Sequence, residues 1–296
     1  INPDLAEAFK ARGVLNAYTG QGIKALEDYL KAVDNKPGFS DAIMNVGFRY
    51  LNFGNLSESY NWLRKGALLN PNHRFSAWYL SIPLFVMNEK ERASETLKEG
   101  LDKISDSYEI RSALFFHHLN NDDYKKAKSM LDELSRVRPD DKRIFELRGL
   151  YHLVQSEHEA GIKMMAQAPY PTEYSQLLLA QAYFKLGNND KGEDILNNID
   201  DVTQGPVADG SPSYHPYYKL AQINALRGNF DNTFSLLEDA MNNGFRGYAH
   251  EDNFISWLVN PVFSDLREDS RFIKLQERVE KIIQRERVET GFPPQA

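Results

Sequence analysis

The chain has 296 residues, of which 42% are hydrophobic, 26% are charged and none is cysteine; this composition supports a folded core and excludes disulfides, thiol nucleophiles and cysteine-based zinc sites. The 42 acidic and 35 basic residues give a net charge of −7, which opposes a phosphate backbone, so we expect no nucleic-acid partner through this region. No apolar run approaches the ~18 residues of a membrane span, and a chain without cysteine suits the cytoplasm and the periplasm equally.

Proline recurs along the chain at a spacing of 34 residues. Pro3, Pro37 and Pro71 follow this spacing, and Pro139 continues it after one interval without proline. Small residues such as Ala25 recur at one fixed place of each interval, as they do where two helices approach closely. We therefore predict repeats of about 34 residues over residues 1–247. The predicted units are 6–39, 40–73, 74–107, 108–141, 142–172, 173–213 and 214–247.

Each unit reads as a helix, a short turn and a second helix. In the sixth unit an apolar face with helical spacing stops at Gly187-Asn188-Asn189 and resumes beyond it. The same mid-unit place carries Gly54-Asn55, Asn121-Asp122 and Gly228-Asn229. No segment alternates apolar and polar residues with a period of two, so we expect no strands.

These residues resemble the tetratricopeptide repeat (TPR), whose pattern sets aromatic, Gly, Ala and Pro residues at fixed places. The first two units carry Phe9, Gly13, Ala25, Tyr29, Ala32 and Pro37, then Val46-Gly47, Tyr50, Gly54 and Pro71. The resemblance covers about residues 3–247, with departures at Arg12, Phe115 and Arg148. It implies an all-α, right-handed TPR superhelix (an α-solenoid) of about seven helix pairs with C-terminal capping helices.

The N-terminal end is predicted to lack a neighbouring unit. Pro3 stands at the closing proline of a repeat that is otherwise missing, so we interpret the sequence as part of a longer polypeptide. Leu5, Phe9 and Val14 would then present an uncovered apolar face, which terminal repeats normally avoid. We expect homo-oligomers through this end.

Residues 248–296 are interpreted as C-terminal capping helices and a tail. Leu275, Val279, Ile282 and Ile283 share one face of a helix predicted over 270–288. A second resemblance, to the TPR regions of bacterial multidomain regulators, rests on a short set of residues. They are Asn243-Gly244-Phe245, Trp257, Asn260-Pro261, Leu266-Arg267 and Arg271-Phe272.

No pattern in the sequence indicates catalysis, a metal or a cofactor. His117 and His118 are adjacent and point about 100° apart on a helix, so they are badly placed to share one ion. His250-Glu251-Asp252 lacks the second histidine of a zinc-protease helix. The acidic stretch 200–213 lacks calcium-loop spacing and is predicted to be a surface loop. We expect a protein that is not an enzyme.

The TPR resemblance implies that five places on each first helix line a concave groove. Aromatic residues are enriched there about twofold over the chain average of 12%, and such residues can anchor apolar side chains of a partner. Beside Tyr18, the candidate groove residues are Asn45, Phe48, Phe75, Trp78, Phe85, Phe116, Tyr174, Phe184 and Tyr218. Any one of these aromatic residues has an alternative role in packing between helices.

Three functions remain open at this point. The first is a TPR interaction module that binds a protein or peptide, as the sensor or docking half of a larger bacterial regulatory protein. The second is a standalone TPR scaffold that assembles an envelope or cytoplasmic complex, and the third is an enzyme of unrecognised kind. The carboxylate clamp known in the family is not expected, because only Lys10 and Asn45 match its places.

Overall fold

A computed structural model describes residues 5–208, 213–249 and 255–293, and over these residues fourteen helices form seven consecutive pairs. The prediction of an all-α repeat superhelix is confirmed. The pairs are α1 (Ala6–Tyr18) and α2 (Gly22–Asn35), α3 (Ser40–Asn52) and α4 (Leu56–Leu69), α5 (Ser76–Val86) and α6 (Lys90–Lys103), α7 (Tyr108–Leu119) and α8 (Tyr124–Val137), α9 (Arg143–Val154) and α10 (His158–Met165), α11 (Glu173–Lys185) and α12 (Asn189–Ala208), and α13 (His215–Leu226) and α14 (Phe230–Asn242).

The two helices of every pair are joined by the same turn. One residue of each turn has a positive φ, between 55° and 76°, and the next N–H bonds back to a carbonyl five residues earlier, as Asn55 does to Tyr50 at 2.9 Å. This combination ends a helix with a left-handed residue. The seven left-handed residues are Gly20, Gly54, Asn88, Asp122, Ser156, Gly187 and Gly228.

Small residues lie where the helices of a pair approach most closely. Ala25, Ala93 and Ala127 have no exposed surface. At Gly47 a Cβ atom would lie 2.6 Å from the Cγ atom of Leu63, so the two helices meet there without room for a methyl group.

Residues that depart from the TPR pattern have their own partners. Arg12 donates two hydrogen bonds to the buried carboxylate of Asp28, from Nε at 2.8 Å and from Nη2 at 2.6 Å. Arg148 donates to the hydroxyl of Ser135 at 2.9 Å. Phe115 is buried at the place where the pattern has glycine. These substitutions change the contacts of single units and leave the helix pairs intact.

Two local predictions were wrong. Two strands of two residues, β1 (Tyr248–Ala249) and β2 (Ile255–Ser256), pair antiparallel; they are too short to show alternation. The stretch predicted as a loop from residue 200 is helical to Ala208, and the buried face of α12 continues to Thr203. That side chain is buried and donates to the Ile199 carbonyl at 2.7 Å. Residues 209–212 lie outside the described ranges.

The C-terminal segment, defined as residues 243–249 and 255–293, has an aromatic core of its own. Beside the strands it contains a 3-10 helix (Pro261–Leu266) and α15 (Ser270–Thr290). Phe245, Trp257, Phe263 and Phe272 are buried, and the rings of Trp257 and Phe272 lie 4.6 Å apart. Most residues that carried the second resemblance therefore pack inside the molecule.

The C-terminal segment also returns to the first half of the chain. Arg287 is 1% exposed and donates to the Met87 carbonyl and, at 2.6 Å, to the carboxylate of Glu89. Three further hydrogen bonds reach the second and fourth pairs. They are Ser57 N to Glu286 Oε2 at 3.0 Å, Arg246 Nε to Gly54 O at 3.1 Å, and Ser256 N to Asn120 Oδ1 at 2.8 Å.

Helix α15 therefore packs on the second helix pair as well as on the seventh. Leu275 and Val279 are buried as the capping prediction requires, while Ile282 and Ile283 are half-buried. Helix α15 packs on α14 and also on α4. The C-terminal segment thus joins the end of the superhelix to the edge of the second, third and fourth pairs.

Candidate functional site

Four of the predicted groove residues are buried in the core. Phe85, Phe116, Tyr174 and Tyr218 are each at most 6% exposed. Tyr218 stacks on Phe245 of the C-terminal segment, with ring centroids 4.3 Å apart. The burial of these four rings removes them from the candidate binding surface.

Phe184, a fifth predicted groove residue, packs within its own unit. A Cβ atom at Gly192 of α12 would lie 2.5 Å from Cε1 of Phe184. The ring thus rests on the backbone of the neighbouring helix. Its half-buried state follows from packing between α11 and α12.

Of the remaining predicted aromatic residues, Tyr18 is 88% exposed, while Phe48, Phe75 and Trp78 join with Tyr79 in one group. The rings of Phe48, Phe75, Trp78 and Tyr79 are all half-buried, and we call them the aromatic cluster. The centroid of Tyr79 lies 4.9 Å from that of Phe48 and 5.2 Å from those of both Phe75 and Trp78. Tyr79 stands outside the five groove places, so the sequence analysis did not name it as a groove residue. Its position next to Trp78 in the sequence was the available signal.

Positive charge surrounds the aromatic cluster. The Cζ atom of Arg74 lies 4.2 Å from the centroid of Phe75, and that of Arg49 lies 5.3 Å from the centroid of Phe48. Cations over ring faces are attracted by the negative π-surface. Burial raises the pKa of Tyr79, and Arg49 and Arg74 oppose that rise, so the phenol stays neutral at ordinary pH.

Polar groups lie on the same helices. Asn45 is on α3, one turn before Phe48, and its side chain makes no hydrogen bond to the residues that the structure describes. Lys10 Nζ and His73 Nε2 each lie 4.0 Å from the carboxylate of Asp41. The three other places of the family's carboxylate clamp hold Val14, Phe75 and Tyr79, none of which carries a positive charge for a terminal carboxylate.

The described histidines with close side-chain contacts pack on rings or bond to a carboxylate. His117 lies against Phe85, with centroids 4.8 Å apart, and burial together with His118 lowers its pKa to about 4. His152 contacts the carboxylate of Glu157 at 2.5 Å. Among the residues that the structure describes, no three metal-ligand side chains come together. The motif 250–252 lies outside them.

No family model matches the sequence, and no curated protein does. Solved structures do: PilW, a widely conserved type IV pilus biogenesis factor, is 10% identical with a TM-score of 0.52, over 66% of this chain and 91% of that chain. A TPR protein from Parabacteroides merdae is 13% identical with a TM-score of 0.50, over 81% and 93%. A monomeric mutant of IFIT1 with Gppp-AAAA is 13% identical with a TM-score of 0.57, over 97% and 64%.

The chain has a TPR-like fold. At these identities the likeness extends to the fold alone, and the resemblance to bacterial multidomain regulators stays a prediction. In the part of the chain with described structure, no helix has the length and apolar character that a bilayer crossing requires.

Proposed function

We propose that this TPR-like chain is a protein–protein interaction module and that the aromatic cluster is its binding surface. The supporting observation is the group of half-buried, mutually contacting rings on α3, on α5 and at the residue before α5. Aromatic side chains with one exposed face anchor partner residues at low entropic cost. The burial of Phe85, Phe116, Tyr174 and Tyr218 restricts the proposed surface to the first three helix pairs.

The surroundings of the cluster define the chemistry of the partner. Stacked rings favour an apolar or aromatic anchor residue, and Arg49 and Arg74 favour acidic side chains beside that anchor. The amide of Asn45 can hydrogen-bond the backbone of an extended segment. We therefore propose a peptide or protein segment with an apolar anchor flanked by acidic residues.

At the level of the whole protein, we propose the sensor or docking half of a larger bacterial regulatory protein. A scaffold for an envelope or cytoplasmic complex is the second candidate, and the fold likeness to a pilus biogenesis factor favours it. The complete gene distinguishes them: an N-terminal effector domain supports the regulator, and a signal or lipidation sequence supports the scaffold.

A displayed peptide library selected on the wild-type chain, followed by titration of one selected peptide, tests the surface. Trp78→Ala should weaken binding by ~2 kcal/mol or more, as loss of an aromatic anchor does. Lys10→Ala should have little effect, and Tyr170→Ala, an exposed aromatic elsewhere, is the matched control. The proposal fails if Lys10→Ala abolishes binding while Trp78→Ala preserves it. If Trp78→Ala unfolds the chain, Phe75→Leu and Arg74→Glu provide the same comparison.

A further inference from the structure

The outer face of α15 carries a row of cations. Lys274, Arg278, Lys281 and Arg285 are spaced four, three and four residues apart, and all four are exposed. Side chains at this spacing share one face of a helix. We call these four residues the basic stripe; at 1.5 Å per residue its length is about 16 Å.

The basic stripe has no carboxylate partners within the described ranges. Arg12, Arg227 and Arg271 each form ion pairs with aspartate or glutamate at 3.1 Å or less. None of the four stripe residues forms an ion pair within 4.0 Å there, and the one bond of Arg278 goes to the neutral amide of Asn242 at 2.8 Å. Unpaired cations at this spacing repel one another.

A fifth cation lies beneath the basic stripe and increases its field. Arg246 is half-buried and donates to the carbonyls of Gly54, Met241 and Phe245. Burial lowers its pKa, and Arg285 and Arg278 lower it further, while Glu286 opposes them. The carboxylate of Glu286 already accepts the N–H of Ser57. This part of an otherwise acidic chain is therefore locally positive.

The surface between the cations has a definite shape and composition. Together with Glu277 and Ile282, the basic stripe lines a shallow depression of about 290 Å³. Ile282 is half-buried and supplies an apolar contact. Glu277 would repel a continuous phosphate backbone, whereas carboxylates spaced along a peptide can pair with the cations on either side of it.

We propose that the basic stripe binds an acidic segment of a partner protein, with its carboxylates on Lys274, Arg278, Lys281 and Arg285 and a small apolar side chain on Ile282. This contact shares no residue with the aromatic cluster. It is a second docking surface. The affinity of a partner for the basic stripe depends on charge, whereas affinity for the aromatic cluster depends on aromatic contact.

The probe is decaglutamate labelled with a fluorophore. We would titrate it with the full chain and measure its fluorescence anisotropy at low and at moderate salt. Arg278→Glu/Lys281→Glu should raise the dissociation constant at least about tenfold, because two attractive contacts become repulsive. Lys125→Glu/Lys128→Glu is the matched control, since these two lysines of α8 are exposed at the same spacing. It should leave the dissociation constant within about twofold, and added salt should weaken wild-type binding.

Three outcomes would overturn the proposal. One is an absence of decaglutamate binding to the wild-type chain, and another is an equal loss in both double variants. The third is binding of a ten-nucleotide single strand or of phosphatidylserine vesicles that is tighter than binding of decaglutamate. That result would identify the basic stripe as a phosphate-binding surface. If the charge reversal unfolds the chain, Arg278→Gln/Lys281→Gln repeats the comparison. Trp78→Ala should leave decaglutamate binding unchanged, which separates this result from the test of the aromatic cluster.

Discussion

At the residue scale, Arg287 carries the contact between α15 and the third helix pair. Its guanidinium is buried and bonded to Glu89, to the Met87 carbonyl and to the Pro293 carbonyl. Arg287→Ala leaves the Met87 carbonyl without this donor, while Glu89 keeps its ion pair with Arg92 at 2.9 Å. Loss of the donor to a buried acceptor costs ~1–3 kcal/mol. Urea unfolding should show this loss.

Arg285→Ala is the control for that measurement, because Arg285 is exposed on the same helix. Its free energy of unfolding should stay within ~0.5 kcal/mol of wild type. Equal unfolding midpoints for Arg287→Ala and wild type would contradict a stabilising role for the buried guanidinium.

Asp28 makes stability depend on pH at the first helix pair. Hydrogen bonds from Arg12 lower its pKa below 3.8, against the opposing effect of burial. A carboxyl whose pKa is lower in the folded state stabilises the fold above its unfolded pKa and loses that effect as pH falls through the folded pKa. Asp28→Asn should therefore cost ~1.5–3 kcal/mol near neutral pH and progressively less below about pH 4.

Denaturant unfolding at several pH values between about pH 3 and pH 7 measures this difference. Asp34→Asn, at an exposed site on the same helix, should show no comparable change. A difference between Asp28→Asn and wild type that stays constant across this range would contradict the assignment.

At the element scale, two turns have the same backbone conformation, but only one of them contacts the C-terminal segment. Comparing Gly→Ala at the two turns therefore separates the cost of a left-handed alanine from the cost of a lost tertiary contact. Gly54 and Gly187 have φ of 74° and 75°. A Cβ atom at Gly187 meets nothing within 4 Å, whereas one at Gly54 would lie 2.8 Å from Cζ of Arg246 and would also clash with Gly244. Gly187→Ala should cost ~1–2 kcal/mol, the price of a left-handed alanine, and Gly54→Ala clearly more.

Thermal and urea unfolding of the two glycine variants provide the comparison. Gly228→Ala is a second control, since its Cβ also meets nothing within 4 Å. Equal losses at all three positions would mean that the contact between the second turn and the C-terminal segment contributes nothing to stability.

The turns also show how far the sequence predicts the elements. Four of the seven left-handed positions are glycine and mark the turn directly. Asn88 and Ser156 occupy the equivalent place without that signal, and only the repeat spacing locates them. The strands and the last two turns of α12 could not be predicted, because two-residue pairing leaves no period and Thr203 is polar in sequence but buried in the structure.

At the scale of the whole molecule, the N-terminal end is the place where we expect self-association. Leu5 is 46% exposed and Leu15 is 61% exposed, on and beside α1. Sedimentation velocity across micromolar concentrations should show reversible dimers that Leu5→Lys/Leu15→Lys removes. Leu186→Lys, at a leucine with 47% exposure on the sixth pair, should leave them. A monomer at every concentration would contradict the expectation.

The candidate site was predictable only in part, because some of its contacts join residues that are far apart in the sequence. Helical spacing located Phe48, Phe75 and Trp78 on neighbouring first helices, and the structure brings their rings together through Tyr79. Spacing within a unit cannot reveal a contact between residues about 200 positions apart. The burial of Tyr218 by the C-terminal segment and the bond of Arg287 to the third pair were therefore outside the reach of repeat analysis.

The long return of the C-terminal segment has a consequence for how the protein is made. Arg287 and Met87 are separated by 200 residues, and ribosomes add ~5–20 residues per second. The second and third helix pairs therefore emerge ~10–40 s before the residues that complete their edge. Until then the Met87 carbonyl and the Tyr60 ring lack the partners that Arg287 and Phe292 supply in the folded chain. The contacts at the edge of the second and third pairs can therefore form only after α15 has left the ribosome.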